Sequence, residues 1–294
     1  MGGNVNTWRP TPWIAAVVGF FGGGLGLLYV QRPWYAIAYF AVSVVGSLAL
    51  LAAILTFDLA VQPDATSWIS LAVAIACAVH AYGIAVATTS VAERKWYSRW
   101  YFLLAFPLAL LTLTLLFRAF AYEPFRIPAE SMQPTLPEGS YIFVSKAGFG
   151  GYGSFGVTLW RGEPTARIDR GDIVAFRLVD APSTVYVKRI IGLPGDRIEY
   201  ANRRLIINDM PAPISLGERD GAYQYAVERV DETDVTIALM PERQPRDFAD
   251  VVPPGHFFVL GDNRDNSRDS RFIGFIPRDH LVGRVVKVIR PRKR

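Results

Sequence analysis

Two clusters of residues have the types and spacing of a nucleophile and its base. Ser131 lies between Pro128 and Pro134, and prolines fix the local backbone and remove amide donors, so we expect the serine hydroxyl on a rigid, exposed stretch. Lys188 and Arg189 are consecutive in an apolar strand pattern, so their side chains point to opposite faces. Burial lowers the pKa of a lysine, which can then take the proton of a serine hydroxyl. Each cluster alone is equally typical of a turn serine or of a surface pair on an edge strand.

A third polar cluster, residues 261–271, interleaves acids and arginines. This pattern is typical of a hydrogen-bonded loop, which could orient a base through a serine hydroxyl. A calcium-binding loop is disfavoured, because the third position from Asp262 is Arg264 and the glycine of an EF-hand loop is missing.

The sequence offers few ligands for a metal. Cys77 is the single cysteine, and His80, His256 and His280 are far apart. Zinc sites need several such side chains at close spacing. We therefore expect no metal and no other cofactor.

The elements that must position these clusters are mainly strands. Beyond Arg118, short runs rich in Val, Ile, Tyr and Phe alternate with turn residues, and no long helical period appears. The strands are expected at 141–145, 172–178, 184–191, 197–207, 235–240, 256–260 and 281–289. We expect a mostly β catalytic domain over residues 118–294, with 197–255 as a small β insert.

A glycine-rich stretch, residues 146–160, interrupts this pattern. Gly148, Gly150 and Gly153 have the spacing of a nucleotide-binding loop, but no βαβ pattern surrounds them, so a nucleotide site is disfavoured. We interpret the stretch as a flexible loop, or as a loop whose aromatic side chains dip into the membrane interface.

The first 117 residues have a membrane composition. They hold five of the 31 Lys and Arg residues and three of the 26 Asp and Glu residues. Four stretches carry no charge: 10–31, 33–57, 65–92 and 100–117. Because about 20 apolar residues cross a bilayer as a helix, residues 1–117 are expected to form three to four transmembrane helices. Three consecutive glycines from Gly22 make segment 13–30 the one that bends or re-enters.

Charge placement predicts the orientation of these segments. Loop 93–99 contains three Lys or Arg residues, whereas the charged residues of loop 58–67 are all acidic. The positive-inside rule places loop 93–99 in the cytoplasm, so the last helix delivers residues 118–294 to the outer side. The net charge of +5 is then better explained by anionic lipid than by nucleic acid.

With these residues in view, the chain resembles the bacterial type I signal peptidases. The resemblance covers about 118–294, in four ordered blocks. The blocks are Tyr122–Leu136, Gly171–Phe176, Tyr186–Asp196 and Gly261–Pro277. Each block is modest alone, but four in this order behind a membrane anchor are specific.

The resemblance implies a Ser–Lys dyad that uses neither histidine nor metal. Ser131 matches the nucleophile, Lys188 the general base, and Ser267 the serine that orients the lysine. Four further residues match supporting positions: Asp269 and Arg271, as a salt-bridged pair, with Asp262 and Arg189.

The resemblance also implies the substrate and the location. Secretory preproteins are cut after small residues at positions −1 and −3, by an enzyme of the bacterial cytoplasmic (inner) membrane that is multi-pass here, with its catalytic domain outside. The expected partners are thus preproteins and the lipid bilayer. The candidate substrate-binding residues are Phe125, Ile127, Pro128, Ala129, Met132, Leu136, Tyr186 and Val187.

Two departures from the family pattern flank the nucleophile. Ala129 stands where many relatives have a serine whose hydroxyl adds to the oxyanion hole, so one donor is missing. Glu130 stands where glycine is common, and it places a charge beside Ser131.

Three alternatives remain beside this interpretation. The first is a catalytically inactive or specialised membrane-tethered β module. The second is a Ser-His-Asp hydrolase that uses His256 or His280 with Asp262 or Asp265, although no serine lies in a G-x-S-x-G elbow. The third, a Ser–Lys autoprotease of the repressor type, is disfavoured by the apolar segments and the absence of a DNA-binding motif.

Overall fold

The computed structural model describes residues 8–57, 63–89, 93–178 and 181–290. The chain divides into two compact units, residues 1–112 and 113–294. The helices are α1 (Pro12–Gly22), α2 (Leu25–Tyr29), α3 (Pro33–Phe57), α4 (Pro63–Ala87), α5 (Trp100–Phe120) and α6 (Ser270–Ile273).

Strands dominate the second unit. They are β1 (Tyr122–Arg126), β2 (Tyr141–Ser145), β3 (Gly151–Ser154), β4 (Val157–Arg161), β5 (Ile173–Leu178), β6 (Ala181–Gly192), β7 (Arg197–Ala201), β8 (Arg204–Ile207), β9 (Met210–Pro211), β10 (Ile214–Asp220), β11 (Tyr223–Val230), β12 (Thr233–Leu239), β13 (Phe248–Val251), β14 (His256–Leu260), β15 (Ile276–Pro277) and β16 (Leu281–Ile289). A mostly β domain behind N-terminal helices is therefore confirmed.

The first unit is helical, but the expected number of transmembrane helices is not confirmed. Among the described residues, two helices are long and apolar enough to cross a membrane, Trp68–Ala87 and Trp100–Phe120. Segment 13–30 is interrupted after Gly22, because Gly23 adopts a positive φ of 54° that ends α1. α3 comprises 25 residues, Pro33–Phe57, and its stretch Pro33–Ser47 is an apolar helix. Loop 58–67, whose acidic residues helped to predict the membrane orientation, lies partly outside the described residues, at 58–62.

A seven-stranded sheet forms the centre of the second unit. Its order is β1-β2-β16-β5-β6-β14-β15, and every neighbouring pair is antiparallel. β6, which carries Lys188 and Arg189, is thus an interior strand rather than an edge strand. One apolar cluster on this sheet includes Ile127, Met132, Ile142 and Val187, and it supports the turn that follows β1.

The region 197–251 builds two smaller sheets, β13-β7-β8-β9 and β10-β11-β12. Their shared core contains Tyr200, Val230 and Ile237, together with Phe258 and Leu260 of β14. Because β14 also pairs with β6, these sheets are packed onto the strand that leads into the 261–271 loop.

The interpretation of 146–160 as a flexible loop was wrong. β3 and β4 form an antiparallel hairpin whose turn has positive φ at Phe155 and Gly156. Lys146 stabilises the hairpin. Its amine lies 2.6 Å from the Glu123 carboxylate and also donates to the backbone oxygen of Gly153 in β3. Tyr152 and Trp160 pair across the two strands and their rings stack at 5.4 Å, but the glycine content obscured the hairpin in the sequence.

The centre of the main sheet leaves no room for a larger residue at Gly283. A Cβ there would lie 2.6 Å from Val144 Cγ1 and would also meet the backbone oxygen of Ser145. Overpacking of this kind costs about 1–3 kcal/mol, so Gly283→Ala should lower the apparent melting temperature of the purified protein by several degrees. Gly217→Ala, whose nearest atom would be 3.5 Å away, should melt within about a degree of the parent. Equal melting of both variants would contradict this packing.

Candidate active site

Ser131 lies on a short 3-10 turn, Glu130–Met132, separated by three residues from the end of β1. The turn begins at Ala129 in an extended conformation and is closed by the Gln133 amide, which donates to the Glu130 carbonyl at 3.0 Å. Met132 is buried beneath it. The serine side chain is half-buried, so the turn presents its hydroxyl at the surface of a packed core.

Lys188 meets this hydroxyl from β6. Its Nζ donates to Ser131 Oγ at 2.6 Å and to the Val187 carbonyl at 3.1 Å, and the residue is only 4% exposed. Burial lowers the pKa of Lys188 from its ordinary 10.5 to about 8, although the negative charges of Asp269 and Asp262 oppose that shift. The arrangement places a readily deprotonated amine within hydrogen-bond distance of a hydroxyl.

Arg189, the neighbour of Lys188, is also buried and points elsewhere. Its guanidinium is bidentate to Asp262, with distances of 2.8 and 2.6 Å, and its Nη1 donates to the Gly171 carbonyl at 2.7 Å. This pair joins β6 to the start of the 261–271 loop. Lys188 and Arg189 lie on opposite faces of β6, as expected. One therefore contacts Ser131, while the other pairs with Asp262 and supports the 261–271 loop.

Asp269 and Arg271 form a second buried pair in the same loop. Arg271 Nε lies 2.8 Å from Asp269 Oδ1, and the Gly261 amide donates to Asp269 Oδ2 at 3.0 Å. Asp269 also caps α6 by accepting from the Arg271 amide. These bonds close the loop on itself and fix the backbone beside Ser131.

Ser267 is buried near the nucleophile, but its hydroxyl makes no hydrogen bond with Lys188. Within the described part of the chain, Ser267 Oγ has no hydrogen-bond partner. It lies against Gly261, beside the backbone oxygen of Ser131. The resemblance implied an orienting bond to Lys188, and in this structure the lysine amine is instead oriented by Ser131 and by the Val187 carbonyl.

A cleft of about 560 Å³ opens beside the Ser131–Lys188 pair. The candidate substrate-binding residues that line it are Phe125, Ile127, Pro128, Ala129, Met132, Tyr186 and Val187. Leu136 does not line it: this residue is fully buried in the core with Ile142 and Val144, because the chain turns inward after Pro134. Its placement in the substrate pocket is therefore corrected.

Some residues of the site could not be singled out from the sequence. The Asn263 amide nitrogen donates to the Ser131 carbonyl, and its Nδ2 donates to the Glu130 carbonyl, both at 3.2 Å. Asn263 thus ties the nucleophile turn to the 261–271 loop. Phe155, at the tip of the β3–β4 hairpin, lines the far end of the cleft. An asparagine within a polar loop carries no signal that would distinguish it from its neighbours.

Gly261 permits the close approach of this loop to the nucleophile. A Cβ there would lie 2.5 Å from the Ser131 carbonyl oxygen and would overlap Ser267. The backbone oxygen cannot rotate away, so Gly261→Ala should displace Ser131 from Lys188 and lower kcat/KM at least about tenfold, since small misplacements of catalytic groups are costly. Gly217→Ala serves as the control and should keep the parent rate. A fully active Gly261→Ala enzyme would contradict the close approach.

The histidines lie apart from this cleft. His256 begins β14, with its Nδ1 3.0 Å from the Pro254 carbonyl, and His280 lines a separate cleft. Over the described ranges, no three His, Cys, Asp or Glu residues are grouped to hold a metal ion. The Ser131–Lys188 pair is therefore the arrangement best suited to nucleophilic chemistry.

Comparison with known proteins identifies the family. A family model described as "Signal peptidase, peptidase S26" matches residues 98–289. The chain is 35% identical over 210 residues to the signal peptidase I of Pseudomonas fluorescens, covering 62% of this chain and 69% of that protein. It is 34% identical over 208 residues to the signal peptidase I of Pseudomonas aeruginosa, with the same coverage.

A solved structure is also similar in sequence. The crystal structure of a signal peptidase I from Enterococcus faecalis V583 is 29% identical, covers 42% of this chain and 98% of that chain, and superposes with a TM-score of 0.27. The assignment rests on the sequence matches, which span both Ser131 and Lys188. On that basis the chain belongs to the signal peptidase family, peptidase S26, and is a serine peptidase.

Proposed function

We propose that this chain removes signal peptides from secretory preproteins, with Ser131 as the nucleophile and Lys188 as the general base. The observation that carries the proposal is the 2.6 Å contact between Lys188 Nζ and Ser131 Oγ beside an open cleft of about 560 Å³. With a pKa of about 8, roughly a tenth of the lysine is neutral at pH 7 and half at pH 8. Only the neutral amine can accept a proton.

The reaction follows the logic of acyl transfer. Lys188 takes the hydroxyl proton as Ser131 Oγ bonds to the scissile carbonyl carbon, and the backbone N–H of Ser131 helps to hold the oxyanion. The protonated lysine then returns the proton to the leaving amine of the mature protein. Water, deprotonated by Lys188, hydrolyses the acyl-enzyme and frees the signal peptide.

Ala129 leaves the oxyanion with one donor fewer than in relatives that have a serine at this position. The Ala129 side chain lines the cleft and supplies a methyl group there. The site compensates through rigidity: Asn263 fixes the carbonyls of both Glu130 and Ser131, so the Ser131 amide keeps its direction through the reaction.

The cleft suits an extended substrate with small side chains. Its walls come from the end of β1 and from the part of β6 before Arg189, which does not pair with β14, so an extended segment can lie alongside free backbone there. Charged residues such as Glu123 and Arg126 also line the cleft, but most of its lining is apolar, which favours small apolar residues at positions −1 and −3. Phe125, Tyr186 and Val187 supply much of this surface.

The supporting residues hold the dyad in place. The buried pairs Arg189–Asp262 and Asp269–Arg271 connect β6 with the 261–271 loop. Ser267, whose buried hydroxyl faces the Ser131 backbone, is the residue that we expect to take up a bond to Lys188 when the Ser131 hydroxyl is consumed in the acyl-enzyme.

The membrane placement follows from α4 and α5. The Lys and Arg residues of loop 93–99 place this loop on the cytoplasmic side of the membrane. Helix α5 then crosses outward, and residues 118–294 are extracytoplasmic. At the outer end of α5, Phe120 stacks on Tyr152 of the hairpin at 5.4 Å, and Arg118 Nε donates to Ser154 Oγ at 2.7 Å. The hairpin therefore lies level with the membrane surface.

The exposed face of this hairpin is apolar, with Phe155, Val157, Leu159 and Trp160 each more than half exposed. Aromatic and aliphatic side chains at the end of a membrane helix belong in the lipid interface. Since Phe155 also lines the cleft, the cleft begins where a signal peptide would leave the bilayer.

The proposal is tested with the full chain in detergent and a preprotein that carries an Ala-x-Ala site. Mass spectrometry of the products should show one cut after the −1 alanine, and a preprotein with Trp at −1 should resist cleavage. A folded enzyme that cuts neither substrate would refute the proposed activity. The variant with both His256→Ala and His280→Ala should cut at the parent rate. Loss of cleavage in that variant would favour a histidine base instead.

A further inference from the structure

Glu130 is the one residue of the nucleophile segment that faces away from the cleft. Every other residue from Phe125 to Met132 lines the cleft beside Ser131. If the cleft holds the signal peptide, as the proposed function requires, an extended substrate must leave Ser131 on the opposite flank. The first residues of the mature protein then pass the Glu130 side chain.

Three elements converge on this flank. Glu130 Oε2 accepts from the hydroxyl of Tyr223, at the start of β11, and from Nδ2 of Asn266, in the 261–271 loop, both at 3.4 Å. The Asn266 amide is oriented by Arg243, whose Nη1 donates to Asn266 Oδ1 at 3.0 Å. The half-buried carboxylate is thus held in one place by neutral donors.

These contacts leave the carboxylate with capacity for a stronger partner. Both bonds to Glu130 are long, whereas a charge-assisted bond from an ammonium or guanidinium is typically about 2.7–2.9 Å. Among the described residues, no cation lies within ion-pair distance of Glu130. A substrate cation at this position would therefore meet a fixed carboxylate that is not already in an ion pair with a described residue.

We propose that Glu130, with Tyr223 and Asn266, forms a mature-side subsite that selects a lysine or arginine within the first two residues after the scissile bond. The site is partly exposed, so the preference is modest. Partly exposed pairs favour the bound form up to about fivefold, and an acidic residue in the same place is disfavoured to a similar degree. The rates for Lys and Glu should thus differ by about five- to tenfold.

The experiment compares peptides with one Ala-x-Ala site and Lys, Gln or Glu at the first or the second mature position. For the parent enzyme, kcat/KM should be five- to tenfold higher for Lys than for Glu at one of the two positions. Raising NaCl from about 0.05 to 0.5 M should reduce that ratio, because the Debye length shrinks. Equal rates for Lys and Glu at both positions would overturn the proposal.

The variants separate charge from structure. Glu130→Gln keeps the shape and should bring the Lys-to-Glu ratio close to one. Glu232→Gln removes an exposed charge beyond the far end of β11, about 20 Å along the strand from Tyr223, and should keep the parent ratio. A parent-like ratio in Glu130→Gln would overturn the proposal. The salt series on the parent enzyme tests the charge preference without any variant. Failure to cut any of the peptides would refute the proposed function instead of the subsite.

Discussion

Replacing Ser131 with alanine should lower kcat/KM for preprotein cleavage by at least about 10³-fold, because the hydroxyl that Lys188 contacts is then lost. Lys188→Ala should have an effect of the same order, since a serine hydroxyl without a base is a weak nucleophile at neutral pH. Both enzymes should remain folded, because neither change leaves a buried charge unpaired.

Matched controls exist for both substitutions. Ser215→Ala and Lys287→Ala change exposed residues on β10 and β16, and both should keep the parent rate. Cleavage that survives Ser131→Ala would contradict the assignment of the nucleophile. Cleavage that survives Lys188→Ala alone would show that another group deprotonates the serine.

The pH profile of kcat/KM should rise tenfold per unit up to about pH 8 and then level off. The active form is the neutral amine of Lys188, and its pKa is lowered by burial to about 8. Below that value the lysine is protonated and the rate falls, so pH 5 should give about a thousandth of the plateau rate. Steady-state cleavage of a peptide between pH 5 and 10 measures this limb.

The position of the limb distinguishes the candidate bases. A midpoint near 6.5 would indicate a histidine, and one above 10 would indicate a lysine with no burial effect. Within the described ranges Lys146 is also buried, and burial lowers its pKa as well, but its amine is engaged by the Glu123 carboxylate at 2.6 Å and does not line the cleft beside Ser131. Lys287→Ala should leave the limb where it is.

Three strands of the main sheet could be predicted from the sequence with correct bounds. The runs 141–145, 256–260 and 281–289 coincide with β2, β14 and β16, because branched and aromatic residues end at turn residues there. The prediction of a flexible loop at 146–160 was wrong, because the glycines of the β3–β4 hairpin obscured its strand pattern. The expected number of membrane-crossing helices is not confirmed, and the break in segment 13–30 falls at Gly23, within the glycine run noted in the sequence.

The residues of the site could be named from their motifs, but not their contacts. The sequence placed Leu136 in the pocket, and the structure buries it, because the direction of a side chain after Pro134 depends on tertiary packing. Glu130 had no predicted role, because its partners lie in β11 and in the 261–271 loop, more than 90 residues away. Contacts of that separation leave no local pattern.

The central claim, that Ser131 and Lys188 act as one unit, is tested most directly by a double-mutant cycle. Single-turnover cleavage of an Ala-x-Ala preprotein would be measured for the parent, Ser131→Ala, Lys188→Ala and the double variant. If the two residues act together, the double variant should be no slower than the slower single variant. If the two losses multiply instead, the residues act independently and the dyad is contradicted.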